Sequence, residues 1–201
     1  MDSAAGTATT PARPTLPAIL TMAGGLLVAA AGFLDWFDLT SAGGTVAIKG
    51  NEFSVGIGAS AIGVFTAISG VIMLLRGPDT GAKAWSVTVI VLAAILTVVG
   101  GASAFAPETA ITQYAAGDVG ETLGISETAA KAALENAFAT GTLSATAKIG
   151  SYLVLAGALS ALGGGIAGVA FAKRRRASKA APPPVAPPSP ATPPPATPPP
   201  A

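Results

Sequence analysis

Three carboxylates stand close together in the first polar segment: Asp35, Asp38 and Glu52. Carboxylate oxygens that converge can hold a divalent cation or move protons as an acid–base set. Their spacing matches no ligand loop, and acids at such places also simply end a helix and face water. No catalytic, cofactor or metal site is therefore assigned. An envelope enzyme built on Asp35, Asp38 and Glu52 remains a reading only if the fold brings these acids together. The other reactive side chains are missing, because the chain has no Cys and no His. That excludes disulfides, thiol redox chemistry, Cys/His metal sites, imidazole switching and the Ser-His and Cys-His nucleophile pairs. There is no P-loop, GxSxG or HExxH pattern. A net charge of +1 over 201 residues gives no overall field for nucleic acid.

The elements that would carry any site follow from where charge is absent. Only 10% of the residues are charged, against about 25% in soluble domains. Four windows hold no charged residue: 14–34, 53–75, 84–107 and 149–172, each of 21 to 24 residues. About 20 apolar residues cross a bilayer core as a helix. These windows also lack the polar residue at every turn that an amphipathic soluble helix shows. The predicted fold is an all-α membrane protein, with four transmembrane helices as an antiparallel bundle and a small outer cap. The spans are placed at about 15–36, 56–75, 85–105 and 149–172. Residues 1–14 read as a disordered N-terminus, 15–176 as the transmembrane domain, and 177–201 as a disordered tail. The tail is uncharged from 180 onward but holds 12 of the 17 prolines, so it is polyproline-like and cannot span. Its P-x-x-P spacing suits either a spacer or a ligand for aromatic grooves.

Orientation follows from lysine and arginine. Arg13, Arg76, Lys83 and the cluster Lys173, Arg174, Arg175, Arg176 and Lys179 fall on one side. Lys49, Lys131 and Lys148 fall on the other, together with eight of the ten acids. Both termini are thus expected in the cytoplasm of a bacterial plasma membrane, with outer loops at 37–55 and 106–148. The basic cluster sets topology and can also attract anionic lipid. Arg13, the apolar run and Ala29-Ala30-Ala31 also fit a cleavable signal peptide. Against cleavage, the run is long and ends in Trp36-Phe37, an aromatic pair suited to a membrane interface.

The first outer loop carries a hairpin signal, Gly43-Gly44 between short Thr/Val/Ile runs. A further turn at Gly50-Asn51 leads to Phe53-Ser54-Val55 as a candidate third strand. In the second loop, Pro107 and Glu108 suit the start of a short helix, which Gly117, Gly120 and Gly124 interrupt. Ser126 then caps a helix over 127–139, closed by Gly141. Ala129, Ala130, Ala133, Leu134, Ala137 and Phe138 form its apolar stripe, which could dock on the bundle, lie on lipid or bind a partner. The eight-residue link between the second and third spans makes them antiparallel neighbours.

Small residues recur every four positions in the fourth span, at Ala156, Ser160, Gly164, Gly168 and Ala172, widened by Ala161 and Gly165. The second span has a lesser strip at Ala59, Gly63 and Ala67. Such strips let helices approach closely in lipid, either within one chain or between copies. No Asp, Glu, Lys or Arg lies inside a span, which argues against a proton- or ion-coupled transporter. The in-span hydroxyls Thr66, Ser69, Thr88, Thr97 and Ser160 are expected to bond their own helix.

Phe33-Leu34-Asp35-Trp36-Phe37, Ser54-Val55-Gly56-Ile57-Gly58, and the ending from Leu143-Ser144-Ala145 through Gly163-Gly164-Gly165 to Arg174-Arg175-Arg176 resemble a group of small four-helix membrane proteins of actinobacteria. The likeness covers about residues 15–176 and implies location and fold only. The architecture also resembles claudins, but the paired cysteines of that family are absent and nothing is carried over. The expected function is non-enzymatic: a structural or accessory subunit held in the lipid bilayer, associating with other membrane or envelope proteins and open to homo-oligomerisation. A small channel or lipid-handling protein is the alternative.

Overall fold

The structure is a computed structural model and describes residues 15–76 and 81–180. The predicted N-terminal segment, Gly77 to Thr80 and the Pro-rich tail from 181 lie outside the described residues. So do the side chains of Arg76, Arg175, Arg176 and Lys179.

The chain is mostly helical with one small sheet. Four apolar helices are α1 (Thr15–Ala31), α2 (Ser54–Arg76), α3 (Gly81–Phe105) and α7 (Ile149–Ala180). Three of them, α2, α3 and α7, are long and apolar enough to cross a membrane, and α1 is a shorter apolar helix of 17 residues. Between them lie β1 (Asp35–Ser41), β2 (Gly44–Lys49), a single 3₁₀ turn at Gly50–Glu52, the short helices α4 (Pro107–Tyr114), α5 (Ala116–Leu123) and α6 (Glu127–Ala139), and β3 (Leu143–Ala147). The main seams run α2 to α1, α1 to α7 and α7 to α3. The short link between α2 and α3 does bring them together, and Phe65 meets Trp85 with ring centroids 6.1 Å apart. Their mutual contact is nevertheless much slighter than the other seams.

Burial along these helices is inverted relative to a soluble bundle. The buried face of α1 is Pro17, Ala18, Thr21, Gly24, Gly25, Val28 and Ala31, while Leu16, Ile19, Leu26 and Leu27 are exposed. Likewise α2 buries Ala59 and Ala67 and exposes Ile57, Val64 and Ile68. Small residues face inward because two backbones can then touch. A side-chain carbon added at Gly25 would lie 2.6 Å from the Gly63 carbonyl oxygen. One added at Gly24 would lie 2.6 Å from the Ala161 nitrogen. Dispersion across such close contacts helps hold the helices together.

The sheet order is β2-β1-β3, with both pairings antiparallel. The hairpin expected in the first outer loop is present, turning at Gly44, whose φ of +126° a side chain would rarely adopt. The third strand is not Phe53-Ser54-Val55. Phe53 is buried beside the sheet and Ser54 already starts α2. The strand partner comes instead from the second outer loop, at 143–147, so the sheet stitches the two loops into one cap.

The first span is also shorter than the predicted 15–36. The helix ends at Ala31, and Trp36 and Phe37 belong to β1, fully buried rather than set at a lipid interface. The indole explains the difference. Trp36 Nε1 donates to the Ala31 carbonyl at 2.8 Å and so closes the helix end. The Trp36 carbonyl accepts from Ser151 Oγ and from the Lys148 backbone, each at 2.8 Å. One residue thus ties together the end of α1, the sheet and the start of α7.

In the second loop, Pro107 opens α4 and Ser126 Oγ accepts the Ala129 amide at 3.2 Å to cap α6. Gly117 and Gly120 do not interrupt the chain. They lie inside α5, which ends at Gly124 with φ +66°. The α6 stripe buries Ala130 and half-buries Leu134, Ala137 and Phe138, leaving Ala129 and Ala133 exposed. It packs chiefly on α5, with lesser contact to α4 and β3.

Candidate functional site

The cap is built around aromatic side chains. Trp36 meets Phe53 edge to face, ring centroids 5.2 Å apart, and Phe37 at 6.3 Å. Alternation along β1 places Phe37 and Leu39 against this core, joined by Ile48 from β2. Above it lie α4 and α5, which run almost as one helix. Ala115 stays in the right-handed helical region, its amide bonded to Ile111 and its carbonyl to Val119. The residues Ile111, Ala115, Asp118, Val119 and Thr122 therefore recur on one face.

Between that face and the aromatic core is a cavity of about 320 Å³. Its floor is Phe37, Ile48 and Phe53, and its opposite wall is Ile111, Tyr114 and Val119. Two carboxylates, Glu52 and Asp118, join the lining, and no Lys or Arg does.

Asp118 is held by a residue 64 positions away. Ser54 donates its backbone N–H to Oδ2 at 2.9 Å and its hydroxyl to Oδ1 at 2.6 Å. These bonds stabilise the charged carboxylate, so its pKa falls below the usual aspartate value, the serine hydroxyl being the largest cause. They also place the acid at the first turn of α2, where helix polarity favours a negative charge. Desolvation pushes the Tyr114 hydroxyl the other way, above the ordinary phenol value. Glu52 accepts the Lys49 amide on Oε2 at 2.9 Å, closing the turn after β2. A second, polar groove of about 210 Å³ lies beside α4 and α6, lined by Glu108, Thr112, Glu135 and Phe138 among others.

The three acids singled out from sequence do not form a set. Asp38 is paired with Lys148 Nζ at 2.5 Å, Glu52 is committed to its turn, and Asp35 faces Lys49 across the strands. Among the described residues no group of three metal-ligating side chains converges. Of the three, Glu52 lines the cavity, and the acid that joins it there, Asp118, stands far from it in sequence. Its signal was the helical spacing of Ala110, Tyr114, Asp118 and Thr122 within a loop that also carries Ile111 and Val119.

The small-residue strips fall on more than one seam. Gly164 lies against Pro17 and Thr21 of α1, with the space for a side-chain carbon 2.7 Å from the Pro17 carbonyl oxygen. Gly168 meets Ser86 of α3 and Met73 of α2. Ala161 is buried, Gly165 touches Ile90 of α3, Ala172 is half-buried, and Ala156 is exposed. On α2, Ala59, Gly63 and Ala67 are buried, the last two against Gly25. Gly157, outside the four-residue register, makes the closest approach to α1, at Gly24.

The in-span hydroxyls divide. Ser69, Thr88 and Thr97 bond carbonyls four residues back in their own helices. Ser160 instead donates across the seam to the Leu20 carbonyl at 3.1 Å. Thr66 is fully buried with its hydroxyl unbonded. Of the basic cluster, Lys173 and Arg174 are exposed at the far end of α7 from the cap.

Compared with known proteins, the chain matches no family model, no curated protein and no solved structure.

Proposed function

We propose that this chain is a four-span protein of a bacterial plasma membrane, with both termini in the cytoplasm, and that it serves as a structural or accessory subunit for other envelope proteins. The observation that carries this reading is the inverted burial of the helices. Large apolar side chains such as Leu26, Val91 and Val98 cover their outer faces, and glycine and alanine fill their seams. That is the arrangement a helix adopts when its solvent is lipid. At about 1.5 Å per residue the 17 residues of α1 extend roughly 25 Å, close to the thickness of the hydrocarbon core.

The distribution of charge supports the orientation. Lys83, Lys173 and Arg174 lie at the helix ends opposite the cap, and the cap holds most of the acids. The absence of cysteine makes this directly testable. In intact cells, Thr142→Cys in the cap should react with a membrane-impermeant maleimide, and Lys173→Cys should react only after lysis. The reverse pattern would invert the proposed topology.

Association with partners is supported by a cap in which one sheet ties the two outer loops into a single built surface. Crosslinking in native membranes should trap heteromeric species. Recovery of a lone monomer under every crosslinking condition would count against the accessory role. The alternative, a small channel or lipid-handling protein, needs a passage between helices. Backbone contacts at Gly24, Gly25 and Gly63 leave no room for one along the two seams of α1.

A further inference from the structure

We propose that the cap cavity binds a small organic cation: an ammonium group carried on an aromatic or short aliphatic body. The cavity, at about 320 Å³, sits at the lower end of the roughly 300–1,000 Å³ usual for small-molecule sites. Phe37, Phe53, Ile111 and Val119 offer an apolar bed for the body of the ligand. The charged lining is acidic only, Glu52 and Asp118. Each Asp118 oxygen takes one bond from Ser54 and, as a carboxylate oxygen, keeps a further lone pair for another donor. Both carboxylates reach solvent at the edge of the cavity, so an ammonium can pair with them while its body rests on the apolar walls. Phe37, Phe53 and Tyr114 also line the cavity, and aromatic rings attract the same sign of charge. An anion, or the phosphate of a lipid head, would meet two carboxylates and no Lys or Arg in the lining. The site stands apart from the accessory role, since a ligand can bind whether or not a partner is present.

The test uses the full chain in a neutral maltoside detergent, with 3-phenylpropylammonium as the probe and calorimetry as the readout. Saturable one-to-one binding is expected. The uncharged analogue 3-phenylpropanol should bind about tenfold more weakly, because it loses the charge terms and keeps the apolar ones. Leu123→Arg should abolish binding of the ammonium by placing a guanidinium at the rim. Leu123 is 64% exposed, so the substitution leaves the packing of the cap in place. Asp118→Asn should weaken the ammonium about tenfold and leave the alcohol nearly unchanged. Glycerophosphocholine should not displace the probe. Displacement would overturn the free-cation assignment in favour of a lipid head. No saturable binding, equal affinity for the alcohol, or unchanged binding in Leu123→Arg would each overturn the proposal. Probe binding by a chain that is recovered as a lone monomer under every crosslinking condition would count against the accessory role and leave this inference standing.

Discussion

The helical layer and the cap obey opposite packing rules. In the cap, the large side chains Trp36, Phe37 and Phe53 are inside, and serine, threonine and acids cover the outside. Among the apolar helices, glycine, alanine and small hydroxyls fill most of the seams, joined by a few larger residues such as Val28, Val89, Leu96 and Val154, while many leucines, isoleucines and valines point away from the protein. This contrast is the one expected where two regions of a chain meet different solvents, as the proposed membrane placement would have it. Water drives the cap to collapse around its aromatics. Helices in lipid lack such a drive and depend on close backbone contact of the kind seen at Gly24, Gly25 and Gly63.

The largest expected effect is on the cap. Trp36→Ala removes a fully buried indole and the donor to the Ala31 carbonyl, and should cost about 3–5 kcal/mol. Hydrogen exchange should show the sheet and α4 losing protection together while the middle of α3 keeps its own. Uniform loss throughout would mean that the two regions are one cooperative unit. Next is Gly25→Val, whose added carbon would lie 2.6 Å from the Gly63 carbonyl oxygen. A cost of about 1–3 kcal/mol is expected from overpacking, read as a lowered unfolding midpoint in detergent. An unchanged midpoint would show that the α1–α2 seam is not held by backbone contact.

Thr66→Val should move stability the other way. Its hydroxyl is buried and unbonded, and replacing it with a methyl group removes an unsatisfied donor, for a gain of about 1 kcal/mol. A loss would reveal a bonding partner for that hydroxyl. A smaller effect is expected from acid. The Asp118 pKa is lowered by Ser54, so its contribution is complete above the ordinary aspartate value of about 3.9. It fades as pH falls through the lowered native value. Thermal scans from pH 6 to 3 should show an acid loss in the native chain that is reduced in Asp118→Asn. The smallest effect is Leu26→Ala on the exposed side of α1, with a change below about 0.5 kcal/mol in a bilayer. A large loss at this exposed position would show that a partner covers it.

Much of this was legible along the chain. Long charge-free windows located the apolar helices because lipid tolerates no unpaired charge, a constraint each segment meets alone. The Ser126 cap, the Pro107 start and the Gly44 turn were readable for a similar reason, since each depends on a few adjacent residues. The end of α1 was not. Trp36 continues the apolar run, and only its burial between Gly50 and Gly150, brought close from two other elements, makes it a strand residue. The third strand is not readable from composition, because both Phe53-Ser54-Val55 and 143–147 mix apolar residues with serine, and pairing with β1 selects 143–147. Asp118 was passed over in favour of Asp35, Asp38 and Glu52 because proximity in sequence is a poor guide to convergence.

The sequence by itself determined the solvent of each segment: which stretches are apolar enough for lipid, which must stay in water, and which end carries the positive charge. These are sums over neighbouring residues, so no long-range contact is needed to evaluate them. Tertiary structure alone decided how the two outer loops combine, with one strand lent from each side of Trp36 and an acid beside the first turn of α2 held 64 positions from its serine. Such contacts exist only after loop closure, and their energy depends on geometry that no local pattern records.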